Sequence, residues 1–563
     1  MGTHAQNSGS ERMPAVTPPA SRRRPTRPAV LIAAVLLAVG AVVTASVPSM
    51  VPAARSGAVI TGPYASLLAA STNLGPSTAT DVQLTVELAA PTRPEVLSGW
   101  AESRRLAVRW QPGDDFAIVS GPAGDISQGF EVPVDDYIGR RGQRYYASPM
   151  QPGVPAALRG EVTAVGRILG YLPHRMALPV LPLDVPRPGL APQHLLTAYN
   201  ATPLVEAGYT GKGQTVVVFG FDGFDQADLD MFADTSGLPR FTPEVVNGPL
   251  GPVHGETVMD LEVIHAIAPD ARLVVVNALP TVQSGGGFEK IAQMFDTAAE
   301  KYPNSVWSLS IGWGCEALYT VTDIAPVRAA LARAHRRGVT AFDASGDLAG
   351  LECRGGEDWS APPGPDQVGV DVIASLPEMT SVGGTTLSTD MQGRWLEEWG
   401  WIDPPLSQGS SGGASQLFAR PDYQRWLTGH RNPESRLVPD VAAVADSFTG
   451  VRIVVNQEER LGGGTSQAAP IWAGMTALMN QYIVDHGGRP LGHINPLLYR
   501  TAQGSELPGF RDITAGGNAV DTPVQGYDLV SGLGSPNVFN LARNLLAAQK
   551  AQAAAADYLS DGG

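Results

Sequence analysis

The chain has 563 residues, with 39 Lys+Arg against 54 Asp+Glu and a formal net charge of −15. That balance disfavours a nucleic-acid partner, which needs a basic surface, and a hydrophobic fraction of 43% excludes wholesale disorder. Two cysteines, Cys315 and Cys353, are too few for a disulfide scaffold or a Cys-rich zinc site, and leave either one bridge or two thiols.

Residues 1–28 carry five arginines against Glu11, three of them together at Arg22-Arg23-Arg24. From Ala29 to Val47 runs a largely apolar stretch without charge. It is long enough to cross a bilayer as a helix, with the arginines held on the cytoplasmic side. Two fates are open: a retained transmembrane segment that inserts in the membrane, or a signal segment cleaved near Val51-Pro52-Ala53. Either way the remainder is expected outside the cell membrane, anchored or secreted. Residues 48–80 read as a linker.

Residues 81–171 read as a small β-rich domain. Val82, Leu84, Val86 and Leu88 alternate with polar residues at the period of a half-buried strand. A helix is expected from Arg93 to Ser103, capped by Thr92. Strand patterns follow at Leu106, Val108 and Trp110 and at Phe130, Val132 and Val134. No catalytic cluster is visible here. The Pro- and Leu-rich stretch from His174 to Pro188, within a linker spanning 172–189, reads as exposed.

From 190 to 548 apolar runs (Thr215 to Phe219, Leu273 to Asn277, Val306 to Ile311, Val339 to Phe342) suit strands buried on both faces. Helical stretches separate them (Gly255 to Ala268, Phe288 to Tyr302, Pro326 to Arg337). Alternating strands and helices predict an α/β fold with a doubly wound parallel sheet, whose chemistry gathers at the carboxyl ends of the strands. The alanine-rich tail, 549–563, reads as a frayed helix end.

Three clusters carry candidate chemistry. In His254-Gly255-Glu256-Thr257-Val258-Met259-Asp260, a spacing of four puts Glu256 and Asp260 one helical turn apart on one face. Like charges that close cannot both ionise freely, so one carboxyl can move a proton; a solvated acidic face is the plain alternative. In Gly462-Gly463-Gly464-Thr465-Ser466-Gln467-Ala468-Ala469-Pro470, glycines open the approach to Ser466 at a helix start, as a nucleophile or merely an N-cap. The phosphate-loop lysine is absent. In Ala344-Ser345-Gly346-Asp347, a protonated Asp347 could donate to an oxyanion, or simply cap a turn.

Together and in this order, Glu256-x-x-x-Asp260, Ser345-Gly346-Asp347 and Gly464-Thr465-Ser466-x-x-x-Pro470 resemble the motifs of the sedolisin family of serine-carboxyl peptidases. The similarity continues through Ala198-Tyr199-Asn200, Gly208 to Gln214, Ser308 to Gly314 and Ser381 to Leu387. It implies a subtilisin-like catalytic domain over 190–548, with 81–171 as a shortened ferredoxin-like propeptide, removed by cleavage between His174 and Pro188. It implies that Ser466 attacks the peptide carbonyl, that Glu256 takes and returns the proton, that Asp260 holds Glu256, and that Asp347 stabilises the oxyanion beside the Ser466 N–H. The substrates are then proteins or peptides, the propeptide is an intramolecular inhibitor, and activity is favoured at acidic pH.

The resemblance also implies a calcium site from the carboxylates of Asp512 and Asp528 and the carbonyls of Ile513 and Gly526, oxygen ligands that suit a hard cation. Val524 replaces a family glycine there, which a carbonyl ligand tolerates only if the backbone angles suit valine. Some family members have a disulfide where Cys315 and Cys353 flank the oxyanion region, and export favours a bridge. Two rival readings remain. His254, with Asp222 after the first strand, also looks like a subtilisin arrangement with a histidine base; alternatively the chain is an inactive cell-surface binding module.

Overall fold

The computed structural model describes residues 57–561 apart from 140–141, 172–188, 284–286, 355–363, 404–406 and 429–431. The basic tail at 1–28, the apolar segment at 29–47 and the processing linker at 174–188 lie outside the described residues. Among the described residues no helix is long and apolar enough to cross a membrane.

The first domain is a β-α-β-β-α-β unit. Strands Val82–Leu88, Ala107–Arg109, Phe116–Gly121 and Val162–Val165 form an antiparallel sheet in which the first lies between the last and the third, with the second at the edge beyond. Helices Glu95–Glu102 and Ala123–Phe130 supply the two crossovers. This is the ferredoxin-like arrangement. Val82, Leu84, Val86 and Leu88 all face one core with Leu97, Trp100, Ile126 and Phe130.

Local structure departs from the sequence reading in three places. The first helix begins at Glu95, after Pro94, and Thr92 makes no cap. Phe130 ends a helix rather than opening a strand, because Ala123, Ile126 and Phe130 recur at helical spacing and Glu131 closes the turn with a left-handed φ of 57°. Residues from Gly57 onward, read as linker, are folded at the seam with the larger domain: Ile60 and Tyr64 of the segment pack in a core with Leu318 and Ile324, and the hydroxyl of Tyr64, fully buried in the helix Pro63–Ala69, donates to Ser148 O at 2.7 Å. Residues 549–561 form the end of the last helix, Val538–Asp561.

The second domain is built on an eight-stranded sheet. Its strands run in the order Glu244–Val246, Arg272–Asn277, Thr215–Gly220, Val306–Leu309, Thr340–Ala344, Thr380–Thr389 and Trp395–Gly400, with Val441–Val444 also pairing Thr380–Thr389. All pairings are parallel except the last edge. Alternation splits each strand between two cores: Val216 and Val218 pack with helices Glu256–Ile267 and Thr465–Asp485, while Val217 and Phe219 pack with Gly287–Lys301 and Val321–Arg336. This is the expected doubly wound α/β sheet. The helix expected from Pro326 starts a turn and a half earlier, because Thr320 and Asp323 form a capping box, and Pro326 sits inside it.

The small domain packs on the Gly287–Lys301 and Val321–Arg336 face. Arg109 forks onto Glu289 at 2.8 and 2.5 Å, and Arg333 reaches both Asp114 and Asp296. The Arg167 N–H donates to Asp323 at 2.8 Å.

On the other side of the sheet, Arg436 and Asp440 form an ion pair with no exposure on either side chain. Asp440 also accepts from Ser381 N and Tyr499 OH, both at 2.8 Å, so the pair ties three elements together. Removing one partner leaves a buried, uncompensated charge. Arg436→Ala is expected to destabilise the chain by about 3–5 kcal/mol, read by denaturant unfolding.

Candidate active site

Successive strands deliver the polar residues to one edge of the sheet. Thr215–Gly220 leads to Asp222, Val306–Leu309 to Ser310, and Thr340–Ala344 to Ser345, Gly346 and Asp347. The helices Glu256–Ile267 and Thr465–Asp485 begin at the same edge. Their first turns carry free N–H groups that need partners.

Asp222 satisfies one of these helix starts. Its fully buried carboxylate accepts the N–H groups of His254, Gly255, Glu256 and Thr257 at 2.9–3.2 Å and the Thr257 hydroxyl at 2.5 Å. Gly255 holds a φ of 109°, a turn open to glycine at little cost. Asp222 is thus committed to backbone donors rather than to the His254 ring, and the His254 side chain is exposed. The pairing that a histidine base requires is not formed.

Glu256 and Asp260 project from this helix into the interior, with Asp260 1% exposed. Burial pushes the Glu256 carboxyl well above the usual carboxylate range, the charges of Asp260, Asp222 and Asp347 add to this, and a hydrogen bond with the Ser466 side chain opposes it. Burial likewise raises Asp260, opposed by its bond from Ser310. Two carboxyls this close and this buried favour holding a proton between them. Ser466, 4% exposed, opens the helix opposite, and its hydroxyl lies 3.3 Å from the Ser310 carbonyl. The Ser310 hydroxyl is 2.8 Å from Asp260 Oδ1 and 3.0 Å from the Ser466 carbonyl, so one side chain links the acid pair to the serine. Sequence reading did not single Ser310 out; its signal was position, one residue beyond a central strand.

Asp347 reaches the same helix start. Its Oδ1 accepts from the Thr465 N–H at 2.7 Å and the Thr465 hydroxyl at 2.9 Å, and that hydroxyl accepts from Gly346 N at 3.1 Å. Gly464 has to be glycine: its φ is 77°, and a Cβ there would stand 2.8 Å from Asp347 Oδ2. Behind Asp347, Glu352 accepts from Leu348 N at 3.1 Å and from the Ser411 hydroxyl, bracing the loop. Cys315 and Cys353 are joined in a disulfide beside this loop, with 38 residues of separation. Four of the expected residues, Ser466, Glu256, Asp260 and Asp347, therefore converge.

The four expected calcium ligands lie elsewhere, in the segment leading to the last helix. Asp528 is 1% exposed, and burial, with the Asp512 charge as a lesser cause, moves its carboxyl up to about 6. Asp528 accepts from Val530 N and Ser531 N at 2.8 Å, and Asp512 accepts from Gly526 N at 3.0 Å. The carbonyls of Ile513 and Gly526 accept no backbone hydrogen bond among the described residues. Val524 keeps a negative φ, which valine tolerates. Two neighbouring carboxylates and two unclaimed carbonyls fit a hard cation. No group of three or more His, Cys, Asp or Glu side chains able to hold a metal occurs among the described residues.

Comparison with known proteins agrees with this geometry. The family model described as Subtilase family matches residues 247–520. The chain is 30% identical over 511 residues to kumamolisin of Bacillus sp. (strain MN-32), covering 83% of this chain and 86% of that protein. To sedolisin of Pseudomonas sp. (strain 101) it is 26% identical over 483 residues, covering 80% of this chain and 79% of that protein. A solved structure of Pseudomonas sedolisin (serine-carboxyl proteinase) complexed with two molecules of pseudo-iodotyrostatin superposes with a TM-score of 0.55 at 25% identity, over 64% of this chain and 99% of that one. The chain belongs to the sedolisin family of serine-carboxyl peptidases. It is a serine peptidase with a subtilisin-like catalytic domain.

The raised carboxyls have a consequence for stability. A group whose folded-state pKa lies above its unfolded value contributes stability that is complete below about pH 4 and is lost as pH rises through the folded value. Glu256 and Asp260 have this sign, as does buried Glu316, which burial moves to about 7. A Ser466→Ala chain, which avoids self-digestion, is therefore expected to melt at a higher temperature at pH 5 than at pH 8, measured by calorimetry.

Proposed function

We propose that the chain is an exported endopeptidase, made as a zymogen, that cleaves proteins at acidic pH through Ser466, Glu256, Asp260 and Asp347. The observation that carries this reading is the hydrogen bond between the Ser466 side chain and the buried Glu256, whose carboxyl is raised by burial and by the charge of Asp260 one turn away. Ser466 Oγ attacks the carbonyl carbon of the scissile bond while Glu256 takes its proton. Asp347, protonated, donates to the oxyanion together with N–H groups of the Ser466 helix start. The C–N bond then breaks, the amine leaves with the proton from Glu256, and water repeats the sequence on the acyl-enzyme. Asp260 holds Glu256 in place and Ser310 positions Asp260.

A carboxyl donates only while protonated, which for an ordinary carboxyl means below about pH 4–5. Activity on an unfolded protein is expected to peak at acidic pH, where a carboxyl can still donate to the oxyanion, and to fall towards neutral pH. Glu256→Gln is expected to lower kcat/KM by about 10²–10⁴-fold, while His254→Ala stays within the same decade. A neutral optimum abolished by His254→Ala would instead favour the subtilisin reading. Activity absent from a correctly processed chain would favour a binding module.

The ferredoxin-like domain would serve as the propeptide, held on the catalytic domain by the Arg109–Glu289 and Arg333–Asp114 pairs. Wild-type chain is expected to shorten on acidification to a new N-terminus between His174 and Pro188, and Ser466→Ala to stay uncut; terminal sequencing reads the result, and a cut elsewhere counts against it.

Asp512, Asp528 and the carbonyls of Ile513 and Gly526 would hold one calcium ion, which when bound offsets the charge of the neighbouring carboxylates. Chelation is expected to lower the melting temperature of the wild type by several degrees and to leave Asp528→Asn, already destabilised, unchanged.

A further inference from the structure

Asn304 and Gly338 stand just before the strands Val306–Leu309 and Thr340–Ala344, at the sheet edge opposite the one from which Ser310 and Asp347 leave. The length of those strands, about 15 Å at roughly 3.3 Å per residue, separates this edge from the catalytic residues. A cleft of ≈ 500 Å³ opens here between Arg336 and Arg337, at the end of the helix Val321–Arg336, Arg489 in the loop after Thr465–Asp485, and Gln549 and Gln552 of the last helix. Among the described residues no Asp or Glu lines it.

Among the described residues the three guanidinium groups make no ion pair and no hydrogen bond, although Arg328 and Arg333 on the same helix are paired with Glu378 and with Asp296 and Asp114. Three exposed like charges around one cleft repel each other, and a chain of net charge −15 has acid to spare for pairing them. Complementing the helix dipole does not account for the set. Arg336 shares the last turn of that helix with Arg333 and His335 and complements the dipole, but Arg337 lies at the cap beyond it and Arg489 comes from a different element. Arg489 is also held from behind: its N–H donates to Gln549 Oε1 at 3.0 Å, and Gln549 Nε2 donates to its carbonyl at 2.9 Å.

We propose that this cleft binds a phosphate-type oxyanion, either free or as the headgroup of an anionic lipid. Guanidinium forks match the oxygens of phosphate two at a time, and three of them, converging from two elements, suit a multiply charged group. The surrounding negative charge of the chain limits the ligand to a compact anion and works against a long polyanion. The site is independent of the peptidase mechanism.

The test uses the full chain carrying Ser466→Ala, to prevent self-cleavage, at about pH 6, with tripolyphosphate as calorimetric probe. Binding is expected to weaken at least tenfold when Arg336, Arg337 and Arg489 are all replaced by alanine, and to weaken as NaCl rises from about 0.05 to 0.5 M. Co-sedimentation with phosphatidylglycerol against phosphatidylcholine vesicles separates the sources. A phosphatidylglycerol preference lost in the triple variant identifies a headgroup site, and tripolyphosphate binding without that preference identifies a free phosphate site. Arg489→Glu, a single change at an exposed position, should by itself abolish most binding and guards against misfolding of the triple variant. Equal binding by parent and variants, or no binding to either probe, overturns the proposal.

Discussion

Two carboxyls one turn apart, Glu256 and Asp260, are buried with too little solvent to carry two charges, and the catalytic half of the molecule is arranged around that constraint. Removing one ionised carboxylate from water costs several kcal/mol unless it is compensated. Burial raises both carboxyls, which favours a shared proton, and hydrogen bonds with Ser466 and Ser310 offset part of the cost. A group so placed exchanges a proton with a neighbouring hydroxyl more readily than an exposed glutamate would, which is the property a serine nucleophile needs.

The surrounding architecture fixes the pair. Asp222 takes up the N–H groups at the start of its helix, Gly255 makes the turn into that helix, and Thr465 bridges Asp347 to the start of the facing one. Asp222 and Asp347 follow the carboxyl ends of parallel strands and meet the starts of the two helices, so the register of a buried parallel sheet sets one side of each contact. Loops would hold them less well.

Much of this was legible in the sequence because parallel strands buried on both faces read as continuous apolar runs, and because Glu256, Asp260, Ser345 to Asp347 and Gly464 to Pro470 each form a short motif. The role of Asp222 was not legible. After a first strand, an aspartate suits a histidine partner as well as a helix cap, and only the four N–H groups gathered on it decide between them. Ser310 is one serine among several, given meaning by Asp260 fifty residues earlier in the chain. Phe130 misled because its alternation with Val132 and Val134 mimics a strand, while its burial with Ala123 and Ile126 follows a helix. The segment from Gly57 to Thr80 looked like linker because its buried apolar contribution rests on two side chains, Ile60 and Tyr64.

The central claim is that Ser466 is activated by the acid pair and not by His254. A peptide aldehyde labelled with ¹³C at its carbonyl reports this directly, since attack by Ser466 forms a hemiacetal with a distinct resonance. The account predicts a hemiacetal that is strongest at acidic pH, fades as pH rises towards 8, is unchanged in His254→Ala and is absent in Ser466→Ala and Glu256→Gln. A hemiacetal that forms best near neutral pH and disappears in His254→Ala would contradict it.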